Sequence, residues 1–137
     1  MFDPYIIVTD SLRNTDHEGA EAFAFDARCG YYRRLILSMV EDLQVTVDGE
    51  PQPRENIRLT VAGETFTMDA LAREFRLAWE FGEPATVTVL GRRLSPGTHE
   101  LGLSETLRIS YLPTPHVPAT VQHLEAVSYT HLRAHET

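Results

Sequence analysis

The sequence predicts an all-β fold, a β-sandwich or open barrel of about seven or eight short antiparallel strands with one short helix. Three observations predict it. Apolar and polar residues alternate with period two in several short runs, the pattern of half-buried strands. Turn residues such as Asp48-Gly49, Ala62-Gly63 and Gly91 separate those runs at fairly regular spacing. Only one stretch has helical period, so a parallel sheet with helices alternating between its strands is disfavoured. The 137 residues, 42% hydrophobic and 23% charged, have the length and composition of a single globular domain.

In chain order, residues 5–9 are β-branched and aromatic and read as a strand. The polar run 13–19 reads as a loop joining that strand to residues 22–28, where Phe23 and Phe25 share a face. Leu43, Val45 and Val47 alternate with polar residues up to the Asp48-Gly49 turn, and Pro51 and Pro53 mark a loop or exposed edge. Ile57, Leu59 and Val61 form another set, and a brief strand at 64–67 follows Ala62-Gly63. The helix is expected over 68–75: Thr67 or Asp69 can cap it, and Met68, Leu71, Ala72 and Phe75 form one stripe. Residues 85–90, 97–103 and 106–111 give three more alternating runs, after which Pro113, Pro115 and Pro118 end regular structure.

Composition excludes several classes of function. The net charge of −8 opposes nucleic-acid binding, which relies on clustered cations. All twelve cations are arginine, a bias that a GC-rich genome accounts for without a functional reason. Cys29 is the single cysteine, which rules out an internal disulfide and a cysteine-rich zinc site. No apolar run approaches the roughly 20 residues of a membrane helix, and MFDPYIIVTD lacks the pattern of a signal peptide. The expected location is the cytoplasm.

Residues 127–137, VSYTHLRAHET, match one translated frame of the transposon-end adapter used in sequencing libraries. The expected domain is therefore 1–126, with 127–137 an adapter-derived addition that truncates the native C-terminus. His131, His135 and Glu136 would suggest a metal site on a helix, but they fall inside this segment.

The remaining chemistry-bearing residues form no recognisable constellation. Asp16, His17 and Glu18 are adjacent, and neighbours on an extended segment point to opposite faces, so a solvated hairpin loop explains them. His99, His116 and His123 have no short mutual spacing, and Cys29 reads as buried and inert although Arg28 adjoins it. Two segments look like contact surface: residues 30–40, with Tyr31, Tyr32, Arg33 and Met39, and residues 77–82, with Trp79 and Phe81. Aromatics, Arg and Met are enriched in interface cores, though the same residues could fill the domain's own core.

These segments also carry a resemblance. Met1-Phe2-Asp3 with Tyr5-Ile6-Ile7, Phe23-Ala24-Phe25-Asp26 with Arg28, and Tyr31-Tyr32-Arg33 occur in order. They are followed by Leu37-Ser38-Met39-Val40-Glu41, Val47-Asp48-Gly49-Glu50, Trp79-Glu80-Phe81-Gly82 and Arg108-Ile109-Ser110-Tyr111. From Met1 to about Pro113 this pattern resembles the small β subunit of C-glycoside deglycosidases. The resemblance implies a β-sandwich-like subunit bound to a larger α subunit resembling sugar-isomerase barrels. That partner carries a divalent metal, typically Mn2+, and the acid/base residues; none is expected in this chain. Together the subunits cleave the carbon–carbon bond of 3-oxo C-glycosides by elimination: the 3-keto group acidifies the C2 proton, a base removes it, and the metal stabilises the enediolate. The alternatives are a freestanding carbohydrate- or ligand-binding sandwich, with Trp79 and tyrosines stacking on sugar rings, and a small metal enzyme using Asp16, His17, Glu18 and a distant histidine.

Overall fold

The computed structural model describes residues 6–31, 34–80, 82–111 and 120–134. In chain order the strands are β1 (Arg13–His17), β2 (Ala20–Ala27), β3 (Leu35–Ile36), β4 (Val40–Val47), β5 (Glu50–Pro51), β6 (Ile57–Val61) and β7 (Glu64–Thr67). Helix α1 (Met68–Leu71) follows, then β8 (Ala78–Trp79), β9 (Ala85–Leu90), β10 (Gly97–Tyr111) and β11 (Thr120–Ala134). All paired strands are antiparallel. They form a five-stranded sheet ordered β1-β2-β9-β6-β7, a four-stranded sheet ordered β11-β10-β4-β5, and the two-stranded ribbon β3-β8. The all-β expectation holds, with more strands than anticipated because β3, β5 and β8 have two residues each.

The alternating runs supply one continuous core. Phe23, Phe25, Ile57, Leu59, Val87 and Val89 from the five-stranded sheet pack in the same cluster as Leu43, Val45, Val47, Leu101, Leu103 and Leu107 from the four-stranded sheet. Burying each such side chain contributes roughly 1.5–3 kcal/mol. Hairpin turns fix the registers: Glu18-Gly19, Asp48-Gly49 and Ala62-Gly63 each place two consecutive residues at positive φ, the geometry that matches the twist of paired strands. At Ala62, with φ of 52°, the methyl group makes this left-handed conformation cost roughly 1–2 kcal/mol.

Four expectations need correction. The polar run 13–19 is mostly strand β1, paired from Arg13↔Ala24 to His17↔Ala20; it reads as a loop because a sheet edge favours polar side chains. Asn14, 2% exposed, is its inward anchor: its amide donates to the Leu94 carbonyl at 2.8 Å and accepts from the Leu94 N–H at 2.8 Å. The helix ends at Leu71 and leaves Phe75 71% exposed, although Thr67 caps it as expected by accepting from the Ala70 N–H. The buried Glu74 carboxylate stops it, accepting from the Arg76 and Leu77 N–H groups at 2.6 and 2.9 Å and turning the chain away. The runs at 97–103 and 106–111 are one strand with a register shift between Thr106 and Leu107. Regular structure resumes beyond the prolines as β11, whose residues 127–134 pair with 97–104. At the N-terminus, Ile7 forms a single bridge to Ala27, and Tyr5 lies outside the described residues.

Candidate functional site

The ribbon β3-β8 unites the two segments singled out by sequence. Leu35 pairs with Trp79 and Ile36 with Ala78, and Arg34 meets Glu80 at 3.0 Å. The 3-10 turn Leu37–Met39 continues β3, and the Leu37 and Ser38 N–H groups donate to the Leu77 and Glu74 carbonyls at 3.0 and 2.9 Å. Period-two alternation then sorts the side chains. Leu35 and Trp79, opposite one another, are buried at 6% and 1% exposure, whereas Ile36 is 40% exposed.

Trp79 is therefore a core residue, the second of the two places that the sequence left open for it. Its indole N–H donates to the Glu83 carbonyl at 3.2 Å, so both the ring and its polar handle are used inside the domain. That removes Trp79 as a sugar-stacking platform. Tyr31 and Met39 are half-buried and pack against the core. Tyr32, Arg33 and Phe81 lie outside the described residues. Sequence periodicity misassigned Phe75, which it placed on a buried stripe. Among the described residues, Ile36 and Phe75 are the large hydrophobic side chains classed as exposed; Ile36 lies on β3, and Phe75 precedes β8 by three residues.

A shallow cleft beside the ribbon, lined by Arg34, Val61, Ala62, Arg76, Trp79 and Glu83 among others, has a volume of about 240 Å³. That is smaller than the roughly 300–1,000 Å³ of ordinary small-molecule sites. Another cleft, of about 390 Å³, is lined by residues such as Asp42, Gln44, Pro51, Gln52, Arg54 and Ile57. Its lining holds no aromatic ring on which a sugar could stack.

Several other titratable groups are tied into the scaffold. Asp16 and His17 end β1, Glu18 starts the turn, and Arg93 approaches Asp16 at 3.6 Å. Cys29 is 4% exposed; burial pushes its thiol up to about 12, aided by the Glu105 charge and opposed by the Tyr31 backbone N–H, so it remains an unreactive thiol near neutral pH. His99 bonds Asp48 through Nδ1 and the Ser95 carbonyl through Nε2, both at 2.8 Å. The Asp48 bond, followed by Ser95, raises the His99 pKa, and the reciprocal bond lowers that of Asp48. Among the described residues, no three His, Cys, Asp or Glu side chains are grouped to hold a metal. His123 and His131 occupy β11 positions opposite Arg108 and Glu100, so a helical spacing from residue 131 to residue 135 does not apply. His116, His135 and Glu136 lie outside the described residues. No described helix is long and apolar enough to cross a membrane.

The ribbon thus sinks Leu35 and Trp79 into the core and leaves Ile36 exposed beside the Arg34–Glu80 pair. The chain belongs to the C-glycoside deglycosidase beta subunit family, whose model matches residues 2–111. It is 38% identical over 122 residues to the 3'-dehydrocarminate deglycosidase beta subunit of Microbacterium sp, covering 88% of this chain and 89% of that one. It is 31% identical over 115 residues to a C-glycoside deglycosidase beta subunit of Microbacterium trichothecenolyticum, covering 82% of each. A relative of the same description from Eubacterium cellulosolvens is 28% identical over 111 residues, covering 79% of this chain and 76% of that one.

Proposed function

We propose that this chain is the noncatalytic small (β) subunit of a heteromeric, metal-dependent C-glycoside deglycosidase. In this reading it docks through the β3-β8 ribbon onto a barrel-type α subunit, which cleaves 3-oxo C-glycosides by elimination in the cytoplasm. The observation that carries the docking role is the exposure of Ile36 and Phe75, at 40% and 71%, on the segments that hydrogen bonds hold side by side. Tyr31, Tyr32, Arg33, Met39 and Phe81 belong to the same segments and complete the interface, with Trp79 supporting it from behind. The word 3'-dehydro in the Microbacterium relative's name supports a 3-oxo sugar as the substrate class. A divalent metal such as Mn2+, held by the α subunit, would supply Lewis-acid stabilisation of the charge that develops there. The same reading confines the domain to 1–126, and the family match, ending at 111, stops short of the adapter-like segment.

Co-expression with a larger, barrel-type chain as the α subunit tests the proposal. The expected result is a co-purifying complex whose turnover of a 3-oxo C-glycoside requires both chains. Turnover by this chain alone, or full activity of the larger chain without it and no complex between them, would refute it.

A further inference from the structure

The loop between α1 and β8 inverts the usual placement of two neighbouring side chains. Phe75 is 71% exposed, whereas Glu74 beside it is 7% exposed, the reverse of what hydrophobicity alone selects. Glu74 spends its position on local bonds. Its Oε2 accepts from the Arg76 N–H at 2.6 Å and from the Leu77 N–H at 2.9 Å. Its Oε1 meets Arg76 Nη2 at 3.0 Å. These bonds, the one from Leu77 foremost, lower the Glu74 pKa, so the carboxylate is charged at neutral pH. Bonds to an ionised acceptor are roughly twice as strong as those between neutral groups.

All three close within residues 74–77, so the carboxylate ties the loop to itself and not one sheet to another. Phe75 is the residue enclosed between Glu74 and the Arg76 N–H. The two ends of the turn are also fixed from outside. The Glu74 carbonyl accepts from the Ser38 N–H at 2.9 Å, and the Leu77 carbonyl accepts from the Leu37 N–H at 3.0 Å. What this closed turn holds outward is an aromatic ring with most of its surface uncovered. Without the carboxylate, the backbone around Phe75 gains freedom and the ring can settle on the domain's own surface. Holding a binding element in its bound shape lowers the entropic cost of association.

Resting on the docking role above, we propose that Glu74 is a positioning residue: its carboxylate closes the turn around Phe75 and so presents that ring to the α subunit in one conformation. The test uses the full chain with Glu74→Ala, which removes both acceptors, and Glu74→Gln, which keeps one acceptor oxygen but not the charge. Each is made with Phe75 present and again with Phe75→Ala. Amide hydrogen exchange is read at Arg76 and Leu77, together with the Kd for the α subunit, while urea unfolding reports whether the fold survives. Glu74→Ala should speed exchange of both amides about tenfold and raise Kd about fivefold. Glu74→Gln should fall between that variant and wild type in both. Combined with Phe75→Ala, either change should raise Kd by less than about twofold, because a residue that acts through Phe75 then has nothing to position. Unchanged exchange, faster exchange with a wild-type Kd, or the same loss of affinity with and without Phe75 overturns the proposal. If Glu74→Ala fails to fold, Glu74→Gln decides by the same three outcomes. A Phe75→Ala chain that binds weakly beside Glu74 variants that bind normally leaves the docking role standing and removes this one. A wild-type chain that binds no α subunit refutes both.

Discussion

Replacing Phe75 by alanine separates binding from folding at one position. Complete burial of a phenylalanine side chain is worth roughly 1.5–3 kcal/mol. Phe75 is 71% exposed, so most of that gain remains to be made when a partner covers it. Phe75→Ala should then cost about 1–2 kcal/mol of association, a Kd about 5- to 30-fold weaker at 1.4 kcal/mol per decade. The folded chain has little to lose, because surface truncations usually shift stability by no more than about 0.5 kcal/mol. The assay pairs calorimetric titration of the α subunit with urea unfolding of the free chain. An unchanged Kd would show that the chain does not dock through Phe75. A drop in unfolding free energy of ~2 kcal/mol or more would show that the ring packs in the domain, contradicting its exposure.

Asn14→Leu would leave the N–H and C=O of Leu94 without the bonds that Asn14 provides; at about 1–3 kcal/mol per buried unsatisfied group, urea unfolding should show a loss of about 2–5 kcal/mol, and a loss under ~0.5 kcal/mol would refute the clamp between β1 and Leu94. His99 has a raised pKa, so its contribution is fully present below its ordinary value near 6.5 and is lost as pH rises through the raised value; Asp48 has a lowered pKa, so the contribution is also lost as pH falls through that value. The stability gap between wild type and His99→Gln should be widest between those limits and close on the alkaline side, and a gap independent of pH would refute the pairing. Deleting residues 127–137 should leave a folded chain within ~1 kcal/mol of the original, with α-subunit binding intact, because β4 still pairs with β10 from Leu101 to Leu107; loss of cooperative unfolding would refute the domain limit at 126.

Where one physical signal dominated, the sequence was legible. Period-two runs located β4, β6 and β9, and the Asp48-Gly49 and Ala62-Gly63 turns set the hairpins that follow β4 and β6. Thr67 was recognisable as a cap because its hydroxyl has one local task. The errors arose where a distant group decides the outcome. Strand β1 is polar along most of its length, and only its partner β2 and the loop at Leu94 show that Asn14 is an inward residue. The helical stripe broke at Glu74, whose carboxylate accepts from the Arg76 and Leu77 N–H groups and turns the chain around Phe75, leaving that ring exposed. For the candidate site, composition singled out two segments that the structure pairs through Leu35–Trp79 and Ile36–Ala78, but it could not assign their sides. The pairing of Leu35 with Trp79 is long-range, and it alone decides that tryptophan faces inward and Ile36 outward.

In the proposed docking role, a tryptophan in the core supports the surface from beneath. A two-stranded ribbon is marginal in water by itself, and β3-β8 contributes only two residue pairs. What keeps it in place is its inner face: Leu35 and Trp79 are sunk in the shared core, with the Leu37 and Ser38 N–H groups tied to the segment that contains Phe75. A large aromatic side chain spends its apolar area inward, so that small or branched neighbours, Ala78 and Ile36, can be held outward on a firm base. The exposed Arg34–Glu80 pair, with side chains 64% and 47% exposed, is worth too little to do this alone. Truncating Trp79 should therefore weaken docking through the fold, whereas truncating Phe75 should weaken docking with the fold intact. That difference separates the support from the contact surface it carries.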